Sequence, residues 1–198
     1  MKEKTKNILI AVLVVGLVSM TVAYAALTQV LNINAGAKVL NKSDTWNIHF
    51  ANLSAPTLGG YATVPTGSEL VLSNDSTTLS GLEANLKAPG DYVEYTFKVV
   101  NEGSINAKVS AVVLGSISGA TYTGGSAADR ELVQNNLEYT LTYSNGTAIA
   151  QNDALAASGE ATLKLHVGYK STATDLPAAT VTVGGLNAHI DYVQAPKN

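Results

Sequence analysis

The chain of 198 residues contains no cysteine and few charged side chains. Without cysteine, disulfide cross-links, thiolate catalysis and cysteine-ligated zinc sites are excluded, so the hydrophobic core alone must hold the fold. Charged residues make up 14% of the chain, and the formal net charge is −3. This slightly acidic balance argues against a basic surface for nucleic acid and against a polybasic membrane patch. We therefore expect no nucleic-acid partner.

Recognisable catalytic and metal-binding motifs are also missing from the sequence. It has neither the His-Glu-x-x-His motif of zinc proteases nor the Gly-x-Ser-x-Gly turn of serine hydrolases, and no loop has EF-hand spacing. Its histidines fall on the polar sides of three predicted strands: His49, His166 and His189. A three-histidine metal site would need those strands to converge, so solvated positions are the favoured interpretation. We predict no catalytic residue, no cofactor and no metal. A secreted hydrolase is a further alternative, but the sequence offers no recognisable active site for it.

The longest apolar run stands near the amino terminus. Residues 8–18 are apolar without alternation, three lysines precede them, and the tripeptide Ala23-Tyr24-Ala25 follows. This order is typical of a secretory signal peptide, with Ala23 and Ala25 at positions −3 and −1 and Ala26 as the first mature residue. We predict a signal peptide over residues 1–25 that is removed by a signal peptidase. The chain would then contact the membrane only through this leader, before cleavage. The alternative is a retained anchor, because residues 8–27 as a helix could span a bilayer.

Directly after the predicted cut, the hydrophobic pattern changes from a continuous run to alternation. One side of this predicted strand carries Leu27, Gln29, Leu31 and Ile33. Residues of one parity share one face of a strand, so residues 26–39 are expected to form a strand with one largely apolar face. Export would free this strand as the new amino terminus. Its pairing partner is either its own sheet or the sheet of a neighbouring copy.

Similar alternation recurs between turn signals along the rest of the chain. Strands are predicted at residues 46–50, 92–99, 105–113, 137–143, 163–169 and 186–192, with weaker pieces at 61–64, 69–72 and 77–86. The predicted apolar face of 105–113 consists of Ile105, Ala107, Val109, Ala111 and Val113. A short helix is predicted at 127–134, and loops at 51–60, 115–126, 152–159 and 171–179. The pattern predicts an all-β fold: one antiparallel two-sheet sandwich over residues 26–198, preceded by an N-terminal hydrophobic helix.

Two turn motifs around the strongest strand carry a resemblance to a known family. The chain reads Leu86-Lys87-Ala88-Pro89-Gly90-Asp91 before this strand and Asn101-Glu102-Gly103-Ser104 after it. Together with the leader and the extended mature start, these motifs resemble the TasA/camelysin family of Gram-positive biofilm matrix proteins. The resemblance implies a jelly-roll domain, a leader cut by a dedicated signal peptidase, and fibres in which the N-terminal strand of one subunit completes the sheet of the next.

The sequence and the resemblance together predict a secreted structural subunit of extracellular fibres in the matrix or at the surface of a Gram-positive-type bacterium. Residues 26–39 would be the donor strand of a homopolymer, with other matrix proteins as further partners. The alternative is a monomeric surface adhesin or carbohydrate-binding module that uses loops 51–60 and 115–126. Tyrosines that could line a sugar-binding face are Tyr61, Tyr92, Tyr95, Tyr139 and Tyr143. Several of them share faces with leucine and phenylalanine, so packing is their favoured role.

Overall fold

The computed structural model describes residues 45–196 in full and the backbone of residues 28–31. Its strands are β1 (Thr28–Leu31), β2 (Ile48–Ala51), β3 (Thr57–Gly59), β4 (Val71–Leu72), β5 (Leu79–Ser80), β6 (Tyr92–Asn101), β7 (Ala107–Leu114), β8 (Thr121–Gly124), β9 (Leu137–Tyr143), β10 (Ala154–Leu155), β11 (Glu160–Tyr169), β12 (Val181–Gly184) and β13 (Ala188–Gln194). A 3₁₀ turn covers Ile117–Gly119, and helix α1 covers Ala127–Asn136.

The strands form several antiparallel sheets, which confirms the predicted all-β class. One larger sheet has the order β1-β13-β7-β10. The other has the order β2-β6-β11-β9, with β3 also paired to β6. Two small sheets, β12-β8 and β4-β5, accompany them.

The core is built from the alternating strands of both larger sheets. Along β6, every second side chain is buried, and its register sets Phe97 opposite Leu163 and Tyr95 opposite Leu165 of β11. Ile190 and Tyr192 of β13 belong to the same hydrophobic cluster. Because strands from both sheets contribute to one cluster, burial of their facing sides is the main source of stability in a chain without disulfides.

Helix α1 confirms the short helix predicted at 127–134 and extends it to Asn136. Ser126 caps its first turn: the Ser126 Oγ accepts a hydrogen bond from the Asp129 backbone N–H, and the Asp129 carboxylate accepts one from the Ser126 N–H. This reciprocal pair satisfies two otherwise unpaired N–H groups of the helix start. Asp129 also accepts a hydrogen bond from the Ala178 N–H, which fastens the helix to the segment before β12.

Several predicted loops contain short strands. Residues 51–60, 115–126 and 152–159 include β3, β8 and β10, which have three, four and two residues. Conversely, the strand predicted at 77–86 shrinks to the two residues of β5. Strands of this length carry too few residues for alternation to mark them, and distant partners rather than local sequence define them.

The predicted apolar face of residues 105–113 is wrong in its second half. A register shift lies between Asp191 and Tyr192 of β13, where Ala111 and Val109 are their partners and Ser110 is the extra residue. An extra residue reverses the alternation beyond it. Val112 therefore packs against the core, whereas Val113 is 44% exposed.

Candidate functional site

The predicted donor segment contributes the edge strand of one larger sheet. Strand β1 lies at the end of the order β1-β13-β7-β10, and β13 is the strand that pairs with it. The pairing is antiparallel, with Thr28 opposite Val193, Gln29 opposite Tyr192, Val30 opposite Asp191, and Leu31 opposite Ile190. The beginning of the predicted mature chain is therefore held on β13 of its own subunit.

Strand β13 contributes both to the core and to this edge. Its residues Ile190 and Tyr192 are each 2% exposed, and they are the register partners of Leu31 and Gln29. Burial, with Tyr143 and Asp153 nearby, raises the pKa of Tyr192 far above its usual value. The sequence assigned Gln29 and Leu31 to the apolar face of the donor strand. These are thus the residues that pair with the buried residues of β13.

A cavity of about 1080 Å³ adjoins this edge. Phe50, Phe97 and Leu165 line it from one larger sheet, and Ala188 and Ile190 line it from the other. Ile190 therefore belongs both to the cavity wall and to the pairing with β1. An opening between the inner faces of two sheets is a place where apolar side chains of another segment can be buried.

The structure places only part of the predicted site. Gln29 and Leu31 lie on β1, opposite Tyr192 and Ile190. The other predicted residues lie outside the described residues: Ala23, Ala25, Ala26, Leu27 and Ile33. The alternating pattern at 186–192 correctly indicated a strand, but it did not identify this strand as the partner of the N-terminal segment.

Asp91, the last residue of the first turn motif, joins two loop segments through three backbone N–H groups. Its side chain is 1% exposed and accepts hydrogen bonds from the N–H groups of Tyr61 (2.8 Å), Lys87 (2.6 Å) and Ala88 (2.9 Å). Burial raises the pKa of Asp91, but these three N–H groups and the Lys87 charge outweigh it and hold the pKa below its usual value. Asp91 is therefore a buried carboxylate with a structural role.

Asn101 and Gly103 of the second turn motif have a similar role. The Asn101 Nδ2 donates to the carbonyl oxygens of Ile105 (2.9 Å) and Ala156 (3.0 Å), and its Oδ1 accepts from the Gly103 N–H (3.0 Å). A Cβ on Gly103 would collide with the carbonyl oxygen of Thr45. Asn101 and Gly103 thus hold the chain where it leaves β6.

The three histidines are not brought together. His49 and His166 lie on β2 and β11 of one larger sheet, and His189 lies on β13 of the other. Among residues 45–196 and the short strand β1, no three histidine, cysteine, aspartate or glutamate residues form a group that could hold a metal ion. The structure therefore gives no support to a three-histidine site.

His166 instead belongs to a polar cluster on the outer face of its sheet. Its Nδ1 lies 3.0 Å from Glu94, its Nε2 lies 3.7 Å from Glu138, and the ring stacks on Tyr92 with centroids 5.5 Å apart. Lys164 lies 3.1 Å from Glu94. Burial raises the pKa of Glu94, but the contacts with Lys164 and His166 hold it below its usual value. The Lys164–Glu94 ion pair and the contacts of His166 with Glu94, Glu138 and Tyr92 hold these side chains together.

The tyrosines divide between the core and the surface. Tyr95 and Tyr139 are 1% and 8% exposed, and Tyr143 packs against the core while its hydroxyl donates to Asp153 at 2.8 Å. Tyr61 is 74% exposed. Packing is thus the role of the buried rings, and Tyr61 is the exposed member of the predicted set.

Comparison with protein-family models, with curated proteins and with solved structures finds no match to this chain. In the part of the chain that the structure describes, no helix is both long and apolar enough to cross a membrane. The case for a function therefore rests on the edge formed by β1 and β13 and on the cavity beside it.

Proposed function

We propose that this protein is a secreted structural subunit of extracellular matrix fibres, similar to the TasA/camelysin proteins, and that it polymerises by donating its N-terminal strand. In this proposal the leader over residues 1–25 is removed, and the mature domain is a jelly-roll-like two-sheet sandwich. The strand within residues 26–39 then pairs with β13 of the next copy. No residue is assigned a catalytic role.

The observation that supports this proposal most is the position of β1. Thr28 is the third residue after the predicted cut, and the strand that it begins is at the edge of a sheet, paired with β13. A strand in this position can be exchanged between copies without rearranging the interior of either sheet. Main-chain hydrogen bonds would supply the pairing, as in other cases of β-strand addition.

The composition of the donor segment also supports the proposal. Residues 26–37 contain no charged residue and no proline. Natural edge strands are commonly protected against pairing by lysine, proline or a bulge, whereas residues 26–37 contain neither lysine nor proline, and the single charged residue of 26–39 is Lys38. When copies bind head to tail, the same contact repeats from one copy to the next. The assembly closes into a ring only if the rotations between copies add up to a full turn, and otherwise it extends into a filament.

Deletion of residues 26–34 tests the proposal. The undeleted mature chain and the deleted chain are secreted, purified in parallel and imaged by negative-stain electron microscopy. We expect fibres from the undeleted chain and single particles from the deleted chain, with far-UV circular dichroism showing that both retain a β fold. Fibres of equal abundance from the folded deleted chain would contradict strand donation.

A further inference from the structure

The cavity between the two larger sheets is too large to be a packing defect. Its volume of about 1080 Å³ is roughly seven times that of an apolar cavity that takes up benzene. Protein interiors are otherwise close-packed and have few voids larger than a water molecule. The volume lies at the upper end of the range found for small-molecule sites, so the cavity has room for a molecule the size of a lipid.

The wall of the cavity is mainly apolar, and several parts of the fold contribute to it. Leu165 lines it from one larger sheet and Ile190 from the other. Val133 of helix α1 lines it as well, and the continuous segments 79–87 and 176–190 contribute every one of their residues. Because one folded chain supplies all of these parts, the cavity is present in a single subunit.

Charged side chains are rare in this lining. Among the described residues that line the cavity, Glu83 is the one carboxylate and Lys87 the one ammonium group, and both residues are exposed. Leu176, a further lining residue, is 44% exposed. A charge buried without a partner costs far more free energy than a buried apolar group. The cavity therefore suits a molecule that is apolar over most of its length.

Tyr139 offers a polar contact within this apolar wall. It lines the cavity from β9 and is 8% exposed. In the described part of the chain its hydroxyl makes no hydrogen bond, whereas the hydroxyl of Tyr169, which also lines the cavity, donates to the Asp175 carbonyl oxygen at 3.2 Å. Burial raises the pKa of Tyr139, so the hydroxyl keeps its proton. A largely buried donor without a protein partner is uncommon, and an oxygen atom of a ligand would satisfy it.

We propose that the cavity binds a lipid with a long acyl chain. The acyl chain lies against the apolar wall between the two sheets, and a carbonyl or carboxylate oxygen of the lipid accepts a hydrogen bond from the Tyr139 hydroxyl. This inference goes beyond the proposed function and does not rest on it, since a single subunit holds the whole site whether or not it joins a fibre.

Titration of the unassembled protein with two lipids tests the inference. The full chain is secreted, freed of co-purified lipid on a hydrophobic resin, and titrated calorimetrically with oleic acid and with monooleoylglycerol, a free acid and an ester. Leu165→Trp brings a larger side chain into the cavity, and its matched control is Val113→Trp, at an exposed position outside the lining. Tyr139→Phe removes only the hydroxyl, and its control is Tyr61→Phe, at a ring that is 74% exposed.

We expect the unmodified chain to bind at least one of the two lipids, and the lipid that binds shows whether the site takes a free acid or an ester. We expect Leu165→Trp to lower the affinity by about tenfold or more and Tyr139→Phe by about fivefold, while both controls keep the affinity of the unmodified chain. Far-UV circular dichroism checks the fold of each variant, and if Leu165→Trp does not fold, Tyr139→Phe decides.

Two results would overturn the inference. One is that the folded, unmodified chain binds neither lipid. The other is that Tyr139→Phe binds with the same affinity as Tyr61→Phe. Fibre formation by the unmodified chain is imaged separately, and its absence contradicts only the proposed function.

Discussion

At the scale of single residues, we expect stability to depend on the carboxylate of Asp91, which asparagine cannot replace. Its two oxygens accept three backbone N–H groups from two segments, and nearly all of its surface is buried. In Asp91→Asn an amide NH₂ replaces one of these oxygens and faces a backbone donor. We expect the free energy of unfolding to fall by about 1–3 kcal/mol, measured by urea denaturation at neutral pH. Asp175→Asn, at an exposed position, is the control and should change the free energy of unfolding by about 0.5 kcal/mol or less.

The same carboxylate predicts a pH dependence. The pKa of Asp91 is lower in the folded chain than its ordinary value, so the unfolded chain binds the proton more readily. The stabilisation by the anion is therefore complete above about pH 4, near the ordinary aspartate pKa, and is lost as the pH falls through the lower folded pKa. We expect Asp91→Asn to flatten this acid limb of the stability curve. An unchanged slope would contradict the assigned role.

The sequence predicted Asp91, Asn101 and Gly103 as turn residues but not as the groups that fasten distant segments. The Tyr61 N–H, a donor to Asp91, lies thirty residues earlier, and the Ala156 carbonyl lies fifty-five residues after Asn101. Local sequence signals define the φ and ψ preferences of a turn. They do not define which remote backbone group meets its side chains, because tertiary packing decides that.

At the scale of elements, the bulge in β7 reverses which valine is buried. Sequence alternation put Val113 on the apolar face, but in the structure Val112 packs against the core and Val113 is 44% exposed. We expect Val112→Ser to lower the free energy of unfolding by about 1–2 kcal/mol, because it removes apolar contacts and brings a hydroxyl toward the core. Val113→Ser is the matched control, with a change of about 0.5 kcal/mol or less. If thermal unfolding showed Val113→Ser to be less stable than Val112→Ser, the register shift in β7 would be contradicted.

The long strands were the elements that the sequence predicted best. Strands β6, β9 and β11 have seven to ten residues each, enough for alternation to be recognised and to determine a core face. The strands that it missed have two to four residues and form only where a distant strand meets them. Alternation predicted the presence of β1 but not its place beside β13. A two-residue period indicates a strand and its faces, but it does not determine which strand pairs with it.

At the scale of the whole molecule, the proposed function depends on a strand at the edge of a sheet. β1 joins β13 at the edge of a sheet, a thirteen-residue connection follows it, and a cavity of about 1080 Å³ adjoins the same edge. We propose that these features allow the N-terminal strand to pair either with its own subunit or with a copy. Assembly through such an edge needs neither a cofactor nor a charged interface, in keeping with a chain in which 14% of residues are charged.

The measurement that tests this most directly uses two singly substituted chains. One carries Thr28→Cys and the other Val193→Cys, so a disulfide between these positions can form only between different molecules. The two chains are mixed before assembly, oxidised in the fibre and separated on a denaturing gel, with a Thr28→Cys fibre alone as the control. We predict that mixed dimers form in the fibre and are absent from the control. Fibres that yield no mixed dimer would contradict the transfer of β1 to the β13 of a neighbouring copy.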